Sequence, residues 1–560
     1  MIKLDDIRRH AAVRPEHVAV VDGDTRLTWS QYADAVERAA SALAPHLPSD
    51  RPARAVFLAD NGWELAVATA ACATLGVPCT GLDPDHGPDA LTQALTRLRP
   101  AVVFVGTALR PVLDRCVWPD GPRAVHIVLD GRGAGAATAT TTGTGTAAGP
   151  GTGPGADGGV ARPARPSHRP LSFGRLLESE PHGELPPPLP YEHLAVARGV
   201  DGGVRIAVRR TSAEARHRAD LVDEFGFAAR DVHLAAAPLA EPTALALTRA
   251  MLGIGATTVM TARPEPDTLA RLLVDERVTT GVVSPSTLAR LLADPASDGL
   301  AARAGLEFLA TPGRQLGRWV VNTAWERLGP VLHLAQGSAE TGLTAILPAD
   351  EVHAARVRSG RVTLGSTVAL LGDDDRPVPV GAAGRVAVTG YQVMDGYLDD
   401  DAEFVTLDLG TGERRWLLTG EVGRLDDTGR LCLTGRTGGV PSVARDSAVD
   451  KALFRLESDL LNLPCLRDTA VMRVNVPALG DALVVPFIAV AVGREATGYQ
   501  ALSSVCKRRV PSLPAHVIAV DTIPYSPTGR IRDTELLESV LPIITLNHQL
   551  EQTMQQEMSA

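Results

Sequence analysis

Three absences limit what this sequence can be. Only three of its 55 basic residues are lysines, and its 65 acidic residues leave a net charge of −10 at pH 7. Binding along a nucleic acid backbone requires a concentrated basic surface, and the sequence contains no basic stripe. It contains no uncharged apolar run of about 18 residues, the length that a membrane span needs, and no apolar segment follows the charges near its N-terminus. We therefore expect no nucleic acid partner, no membrane span and no signal peptide, and we expect a cytoplasmic protein.

Cysteine is scarce and carries no motif. The six cysteines include no C-x-x-C pair, and in a chain of 560 residues we expect reduced core thiols rather than a disulfide framework or a zinc site. The histidines show no metal-ligand spacing, and no G-x-S-x-G nucleophile motif is present. The sequence therefore predicts neither a zinc enzyme nor a serine hydrolase.

Length and composition indicate a globular protein with more than one domain. The chain is 45% hydrophobic and 21% charged, and its length indicates roughly two to four domains or subdomains. We predict a large N-terminal domain over 1–435, a small C-terminal domain over 436–540 and a polar tail over 541–560. Within the first domain we predict a low-complexity, Pro-rich insertion over 131–190. About 131–170, rich in Gly, Ala, Thr and Pro, is expected to be a disordered surface segment, and a stiff Pro-rich continuation is expected before ordered structure resumes near Tyr191.

The first part of the chain alternates between strand-like and helix-like segments, which is typical of an α/β fold. Helix-length segments are predicted at 30–47 and 62–75, with Ser30 as the N-cap of the first. Short apolar runs typical of strands lie at Val18–Val21, Ala55–Leu58 and Val102–Val105.

A second α/β stretch is predicted from 191 to about 350, and a β-rich part from there to about 435. Strands of the second stretch are expected at Val232–Ala235, Thr280–Val283 and Val331–Leu334. The last part contains a predicted helix at Asp446–Leu460 and strands near Ala470–Met472 and Pro486–Val492. The predicted fold class is α/β, with a large domain of α/β subdomains and a β-rich subdomain, followed by a small mobile α+β domain.

The segment from Trp416 to Arg436 predicts a strand that presents one carboxylate, followed by a hairpin. Asp426 and Gly429 provide turn chemistry between two short apolar runs. Gly420 is expected to place Glu421 at the end of the preceding strand. A carboxylate at such a position can bind the two hydroxyls of a sugar.

In its residues and their order, this segment resembles the ribose-binding and hinge segments of the adenylate-forming superfamily. That superfamily includes acyl-CoA synthetases, peptide-synthetase adenylation domains and luciferases. The resemblance implies that superfamily's fold, with a small C-terminal domain that swings about a hinge beginning at Gly435-Arg436. Scaffold motifs similar to those of the superfamily lie at Leu27-Thr28-Trp29, Asp60-Asn61-Gly62-Trp63-Glu64, Gly76-Val77-Pro78 and Leu82-Asp83-Pro84.

Residues 197–206 resemble the superfamily's phosphate-binding loop, T-S-G-T-T-G-x-P-K-G. Gly199 and Gly202 match loop glycines and Arg205 takes the place of the lysine, whereas Asp201 adds a negative charge and the hydroxyl residues are missing. The resemblance implies that backbone N–H groups at the glycines, together with Arg205, hold the phosphates of ATP. A Gly-rich turn between two strands is the other interpretation of this loop.

Residues 336–341 resemble the superfamily's Y-G-x-T-E motif. Gly337 and Glu340 match the motif, and Gln336 and Ala339 replace its aromatic residue and its hydroxyl. The resemblance implies that Glu340 binds Mg²⁺ and that Gly337 lies against the nucleotide. A carboxylate that caps the turn is the alternative role for Glu340.

Four further positions belong to the implied site. Glu421 replaces the Asp of T-G-D and is expected to bind the ribose, and Arg436 at the hinge is expected next to the nucleotide. Arg530 stands where the motif P-x-T-x-x-G-K-I-x-R has its adenylation lysine, and it keeps the positive charge with a different geometry. Glu241 stands where an aromatic residue or His is usual, and it either borders the acyl pocket or is a solvated turn residue.

The resemblance implies an AMP-forming acyl ligase. A small carboxylic acid would attack the α-phosphate of Mg·ATP and release pyrophosphate, and the acyl adenylate would pass to the thiol of CoA or of phosphopantetheine on an acyl carrier protein. Arg205, Arg530 and Mg²⁺ on Glu340 are expected to neutralise charge in this step. Two alternatives stay open: a pseudo-ligase that serves as a binding or scaffolding module in a biosynthetic pathway, and an adenylating enzyme with altered substrate chemistry.

Overall fold

The computed structural model divides the chain into two compact units, Met1–Tyr191 and Glu192–Ala560. It describes residues 2–48, 52–119, 124–130, 170–178, 180, 185, 192–198, 203–210, 214–262, 264–313, 316–354, 359–399, 402, 404–410, 412–436, 447–475, 482–490, 502, 505–506, 508, 517–526, 531–532 and 535–539. The division at 191 differs from the predicted domain boundary at 436, which stays a prediction.

The first unit is built around a parallel sheet. Its described elements are α1 (Leu4–Val13), β1 (Val18–Asp22), β2 (Thr25–Thr28), α2 (Trp29–Leu43), β3 (Ala55–Leu58), α3 (Trp63–Thr74), β4 (Cys79–Gly81), α4 (Gly87–Leu98), β5 (Val102–Gly106), α5 (Arg110–Leu113), β6 (Val125–Leu129), β7 (Leu171–Ser172) and α6 (Phe173–Glu178). The order β4-β3-β5-β6-β7 is parallel throughout, and β1 and β2 form an antiparallel hairpin. All four residues of β3 are buried, which is the reason for its continuous apolar sequence.

Helix α2 begins one residue before the predicted cap. Thr28, not Ser30, is the N-cap: its hydroxyl accepts a hydrogen bond from Gln31 N at 3.2 Å, and Gln31 Oε1 accepts one from Thr28 N at 2.9 Å. This reciprocal pair is a capping box, which satisfies two backbone N–H groups at the start of the helix. The prediction of Ser30 was wrong because Thr28, two residues earlier, also has a hydroxyl and is followed three residues later by Gln31, the spacing that a capping box requires.

Part of the interval 131–190 belongs to the core of the first unit. Most of this predicted insertion lies outside the described residues, but β7 and α6 fall within it. Phe173 is fully buried, and its ring meets Trp63 edge-on at 6.0 Å between centroids. Residues 171–178 therefore form ordered structure, earlier in the chain than the expected resumption near Tyr191.

The second unit contains the larger mixed sheet. Its described elements are β8 (Glu192–Arg198), β9 (Val204–Arg210), α7 (Glu214–Phe225), β10 (Val232–Ala235), α8 (Pro242–Gly253), β11 (Thr257–Met260), α9 (Pro266–Asp275), β12 (Thr280–Val282), α10 (Pro285–Ala293), α11 (Leu300–Arg303), β13 (Phe308–Pro312), α12 (Arg318–Leu328), β14 (Leu332–Ser338), β15 (Gly342–Leu347), α13 (Ala349–Ala354), β16 (Ser359–Val362), β17 (Ser366–Leu371), β18 (Gly384–Gly390), β19 (Gly396–Tyr397), β20 (Phe404–Asp408), β21 (Glu413–Leu425), β22 (Leu431–Arg436), α14 (Ser447–Leu461), β23 (Leu466–Asn475), β24 (Ala482–Val490) and β25 (Ile518–Ala519).

The strands of this sheet change direction after β14. The run β11-β10-β12-β13-β14 is parallel, whereas β15, β16, β22, β21, β18 and β17 continue the sheet with antiparallel pairs. Ligands of parallel α/β sheets bind outside the carboxyl ends of the strands. The turn that follows β14 lies at such an end.

Two smaller sheets complete the second unit. Strands β8 and β9 pair antiparallel over their full length, and β19 pairs with β9 on the other side. The last sheet, β23-β24-β25, packs with α14 on a core that includes Leu456, Leu460 and Ile488. The predicted helix and strands of this part are confirmed, and the strands are longer than predicted. The predicted α/β class is confirmed as well.

The six cysteines are free and buried, as the sequence predicts. Among the described helices, none has both the length and the hydrophobicity needed to cross a lipid bilayer.

Candidate active site

Glu340 lies in a three-residue turn between β14 and β15. Ser338 and Gly342 pair across the turn, and Gly342 has a φ of +68°, the left-handed conformation that usually ends such a loop. The hydroxyl of Ser338 accepts hydrogen bonds from the backbone N–H groups of Glu340 and Thr341, both at 3.2 Å. The side chain of Thr341 is buried and accepts from Ser338 N at 3.2 Å. Two hydroxyls thus fix the backbone that presents Glu340.

Gly337 is required by the closeness of the two strands. A Cβ at this position would lie 2.0 Å from the carbonyl oxygen of Gly342, a distance that no side chain can accept. The close approach of the two hairpin strands is therefore a sufficient reason for glycine at position 337. The contact of Gly337 with a nucleotide stays a prediction.

The segment 394–397 holds Glu340 through both its backbone and its side chain. Met394 N donates to the carbonyl oxygen of Glu340 at 2.7 Å, and the hydroxyl of Tyr397 donates to Glu340 Oε1 at 3.1 Å. Glu340 Oε2 makes no hydrogen bond or ion pair with any described residue. The carboxylate is thus oriented through one oxygen, and the described residues leave the other oxygen unengaged.

Tyr397 also connects Glu340 to β9. Its backbone pairs with Ala207, and Asp395 N donates to Val208 O at 2.7 Å. The guanidinium of Arg205 lies 5.9 Å from the centroid of the Tyr397 ring. Two residues that the sequence predicted in one site are therefore both next to this tyrosine, Glu340 at its hydroxyl and Arg205 over its ring.

The sequence interpretation missed Tyr397. The dipeptide Gly396-Tyr397 carries no local signal for a site, because its role arises from pairing with a strand nearly 190 residues earlier in the chain. Only the topology of the three-stranded sheet reveals it.

Arg209, on the same strand as Arg205, contacts the turn from the other direction. Its Nη2 donates to the carbonyl oxygen of Ala339 at 2.9 Å. Burial lowers the pKa of Arg209 to about 10, and the charge of Arg249 lowers it as well, while Glu340 acts in the opposite direction. A positive charge therefore lies close to the Glu340 turn.

Glu421 lies within a strand and not at its end. Strand β21 runs unbroken from Glu413 to Leu425, and Glu421 pairs with Arg436 of β22. Its backbone N–H donates to the hydroxyl of Thr419 at 3.2 Å, and Gly420 has a φ of +70°. The predicted strand end is replaced by a local irregularity in a continuous strand, and the ribose role of Glu421 stays a prediction.

The predicted hairpin after Glu421 is confirmed. Asp426 Oδ1 accepts hydrogen bonds from the backbone N–H groups of Thr428 and Arg430, both at 3.0 Å. Gly429 adopts a φ of +79° in the turn. The aspartate and the glycine have the roles that turn chemistry assigns to them.

Several predicted site residues lie outside the described residues. These are Gly199 and Gly202 of the phosphate loop and Arg530 near the C-terminus, so their roles stay predictions. Arg436 is the last residue of β22. Its role next to a nucleotide likewise stays a prediction.

Glu241 has a structural role that neither interpretation of the sequence anticipated. It is the N-cap of α8, and its Oε2 accepts a hydrogen bond from Ala244 N at 2.6 Å. The substitution at this position thus supplies a helix cap.

Among the described residues, no group of three or more His, Cys, Asp or Glu side chains is placed to hold a metal ion. A single carboxylate with one unengaged oxygen nevertheless suits Mg²⁺, which commonly takes one or two carboxylates and completes its shell with phosphate oxygens and water. The Mg²⁺ role of Glu340 stays a prediction.

The fold, with its large mixed sheet and the turn at the carboxyl end of β14, is that of the adenylate-forming ligases. The chain belongs to the AMP-binding enzyme family, whose sequence profile matches residues 7–166 and 203–398.

Comparison with known proteins agrees with this assignment along nearly the whole chain. A salicylyl-CoA synthase / salicylate adenylyltransferase from Streptomyces sp is 26% identical over 93% of this chain and 91% of the relative. An indoleacetate–CoA ligase from Aromatoleum aromaticum is 25% identical over 95% of this chain and 97% of the relative.

Solved structures show the same fold. A benzoate CoA ligase from Burkholderia xenovorans has a TM-score of 0.71 at 19% identity, covering 95% of this chain and 99% of that one. The amide bond synthetase McbA from Marinactinospora thermotolerans has a TM-score of 0.68 at 23% identity, covering 95% of this chain and 98% of that one. At these sequence identities, the similarity is evidence for the fold alone.

Proposed function

We propose that the protein is an AMP-forming ligase that activates a small carboxylic acid with Mg·ATP and transfers the acyl group to a thiol of CoA or of a carrier protein. The observation that carries the proposal is the connection of Glu340, Tyr397 and Arg205 at the carboxyl end of β14. It supports the proposal because it brings a carboxylate, which Mg²⁺ prefers, and a guanidinium, which suits phosphate, to one tyrosine.

In the first step, a carboxylate oxygen of the acid attacks the α-phosphorus of ATP, and the bond to pyrophosphate breaks. Charge builds up on the phosphoryl oxygens, so a cation held in place beforehand lowers the barrier. In this proposal Arg205 would supply this charge and Glu340 would hold Mg²⁺, which would add charge neutralisation when bound. In the second step a thiolate attacks the acyl carbon, and AMP leaves.

The acids named for the two relatives, salicylate and indoleacetate, are the first candidate substrates. Both are small aromatic or aryl-substituted acids. Glu421 and Arg530 are the candidates for binding ribose and for contacting the reacting phosphate.

The test is pyrophosphate release by the full-length protein with Mg·ATP and a panel of such acids, comparing the wild type with Glu340→Gln. The variant removes the charge and keeps the shape, so we expect activity to fall at least about a hundredfold, as for other transition-state electrostatic groups. Glu326→Gln, an exposed glutamate of α12, is the matched control and should keep full activity.

A different result would favour a different function. If no acid releases pyrophosphate and calorimetry detects no binding of Mg·ATP at millimolar concentration, the proposal fails and a non-catalytic binding module is supported. If Glu340→Gln turns over like the wild type, Glu340 is a structural residue of the turn.

A further inference from the structure

One face of strand β9 lies next to the Glu340 turn. Arg205, Ala207 and Arg209 share this face, because side chains two residues apart in a strand point to the same side. Tyr397 of β19 pairs with Ala207, so its side chain lies on the same face, level with the residue between the two arginines. The face therefore presents two cations next to the tyrosine that binds Glu340.

The two arginines of this face contact different groups. The guanidinium of Arg205 lies 5.9 Å from the centroid of the Tyr397 ring. Nη2 of Arg209 donates to the carbonyl oxygen of Ala339 at 2.9 Å, and this is the one hydrogen bond that its side chain makes with the described residues. Arg209 thus binds the main chain of the turn and not the carboxylate that the turn presents.

Two consecutive carbonyl groups of the turn are held from outside it. Ala339 O accepts from the side chain of Arg209, and Glu340 O accepts from Met394 N at 2.7 Å. The hydroxyl of Ser338 accepts from two N–H groups of the turn, both at 3.2 Å. Bonds of this last kind fix the shape of the turn, whereas only bonds from outside fix its place relative to β9. Arg209 supplies one of these outside bonds.

The bond from Arg209 belongs to the stronger kind of hydrogen bond. Burial, followed by the charge of Arg249, lowers the pKa of Arg209 to about 10, which leaves the guanidinium charged at pH 7. A hydrogen bond with a charged donor contributes more than a neutral one. A guanidinium is also planar and rigid, so its hydrogen bond fixes direction as well as distance. Such a bond is suited to keep a turn in one position.

We propose that Arg209 is a positioning residue of the candidate active site, which holds the main chain of the Glu340 turn so that the carboxylate stays where Mg²⁺ binds. This inference rests on the proposed function, because it assigns a role within the same site. The two arginines of one strand face thus have separate roles: Arg209 acts on Mg²⁺ affinity through Glu340, and Arg205 acts on the phosphate.

The kinetic test is pyrophosphate release by the full-length protein at constant ATP and varied Mg²⁺. Arg209→Met should raise the Mg²⁺ concentration at half-maximal rate roughly tenfold, because one charge-assisted hydrogen bond is lost, and saturating Mg²⁺ should restore most of the wild-type kcat. Arg205→Met should instead lower kcat by roughly a hundredfold at every Mg²⁺ concentration. Arg209→Lys keeps a charged donor without the planar fork and should recover part of the affinity for Mg²⁺.

Arg327→Met is the matched control. Nη1 of Arg327 also donates to a main-chain carbonyl, that of Asp294, at 3.0 Å. Arg327 lies near the end of α12, before the amino end of β14, whereas the Glu340 turn follows the carboxyl end of that strand. The control should lower the temperature of thermal unfolding without changing the Mg²⁺ dependence. An arginine with a structural role alone behaves in this way.

Hydrogen exchange tests the position of the turn without any measurement of activity. The amides of Glu340 and Thr341 both donate to Ser338 Oγ, and a turn that is held less firmly opens more often. These amides should exchange faster in Arg209→Met than in the wild type and in Arg327→Met, as measured by mass spectrometry of the peptide that spans β14 and β15. The measurement needs neither ATP nor an acid, so it tests whether Arg209 holds the turn even if no acid supports pyrophosphate release and the proposed function fails.

Three outcomes, each by itself, would overturn the inference. Unchanged exchange of the turn amides in Arg209→Met would show that the turn does not depend on Arg209. Faster exchange with an unchanged Mg²⁺ dependence in an active enzyme would separate the position of the turn from the metal. A fall in kcat that saturating Mg²⁺ does not restore would assign Arg209 to the reacting phosphate, together with Arg205.

Discussion

Replacing Tyr397 by Phe removes one hydroxyl from the candidate site and leaves the rest of the side chain in place. The hydroxyl donates to Glu340 Oε1 at 3.1 Å, whereas the ring lies 5.9 Å from the guanidinium of Arg205. Phenylalanine keeps the ring and therefore keeps the contact with Arg205. The substitution removes the hydrogen bond that orients the carboxylate.

The size of the effect follows from the kind of bond that is lost. A hydrogen bond to a charged group contributes about 1.5 to 3 kcal/mol, and the lower value applies here because both side chains are only partly buried. A loss of about 1.4 kcal/mol corresponds to a factor of ten. We therefore expect roughly tenfold lower kcat/KM for pyrophosphate release, and a higher Mg²⁺ concentration at half-maximal rate, because the carboxylate is no longer held in one orientation.

The assay is steady-state pyrophosphate release at varied Mg²⁺, with two comparisons. Tyr32→Phe also removes a buried tyrosine hydroxyl, which donates to Ala66 O at 3.2 Å in the first unit, so it should cost about 1 kcal/mol of stability without changing activity. A double-mutant cycle of Tyr397→Phe with Glu340→Gln should be strongly non-additive if the tyrosine acts through the glutamate.

One pattern of results would refute this reasoning. If Tyr397→Phe is destabilised like Tyr32→Phe but keeps its activity and its Mg²⁺ dependence, the tyrosine is a structural residue and Glu340 does not depend on it. Additive effects in the cycle would lead to the same conclusion.

Two further predictions concern stability. Thr28→Ala should lower the free energy of unfolding by about 1 kcal/mol, because the cap on Gln31 N is lost, whereas Ser30→Ala should be nearly neutral in the same urea titration; the reverse ranking would assign the cap to Ser30. The pKa of His217 is lowered from 6.5 to about 4, so the unfolded chain takes up the proton more readily, and the stability that this residue contributes is present above about pH 6.5 and is lost as the pH falls toward about 4. His217→Asn should therefore lose less stability than the wild type across this interval, and parallel curves would contradict the assignment.

Local sequence patterns predicted the strands well where burial is uniform. The runs Ala55–Leu58 and Val232–Ala235 have the same bounds in the structure as in the prediction, since short, mostly apolar runs are typical of buried strands. The turn at Asp426 was equally predictable, because its chemistry is contained in five consecutive residues. These features depend on near neighbours in the chain.

Other features depend on contacts that no local pattern encodes. Tyr397 reaches Glu340 only because β19 pairs with β9, and Phe173 enters the core directly after a low-complexity segment. The pairing of His193 with Arg209 is visible only once the register of β8 and β9 is known. The resemblance proposed Glu340 and Arg205 as site residues, and no sequence pattern indicated Tyr397, which contacts both of them.

The placement of the Glu340 turn relative to β9 relies on main-chain atoms in addition to the side chain of Arg209. Met394 N donates to Glu340 O, and Asp395 N donates to Val208 O, both at 2.7 Å. Backbone hydrogen bonds of this kind are indifferent to which side chains the strands carry. The chemistry at position 205 can thus be exchanged while the geometry stays, so restoring a lysine there is a single-residue engineering step that needs no redesign of the surrounding scaffold.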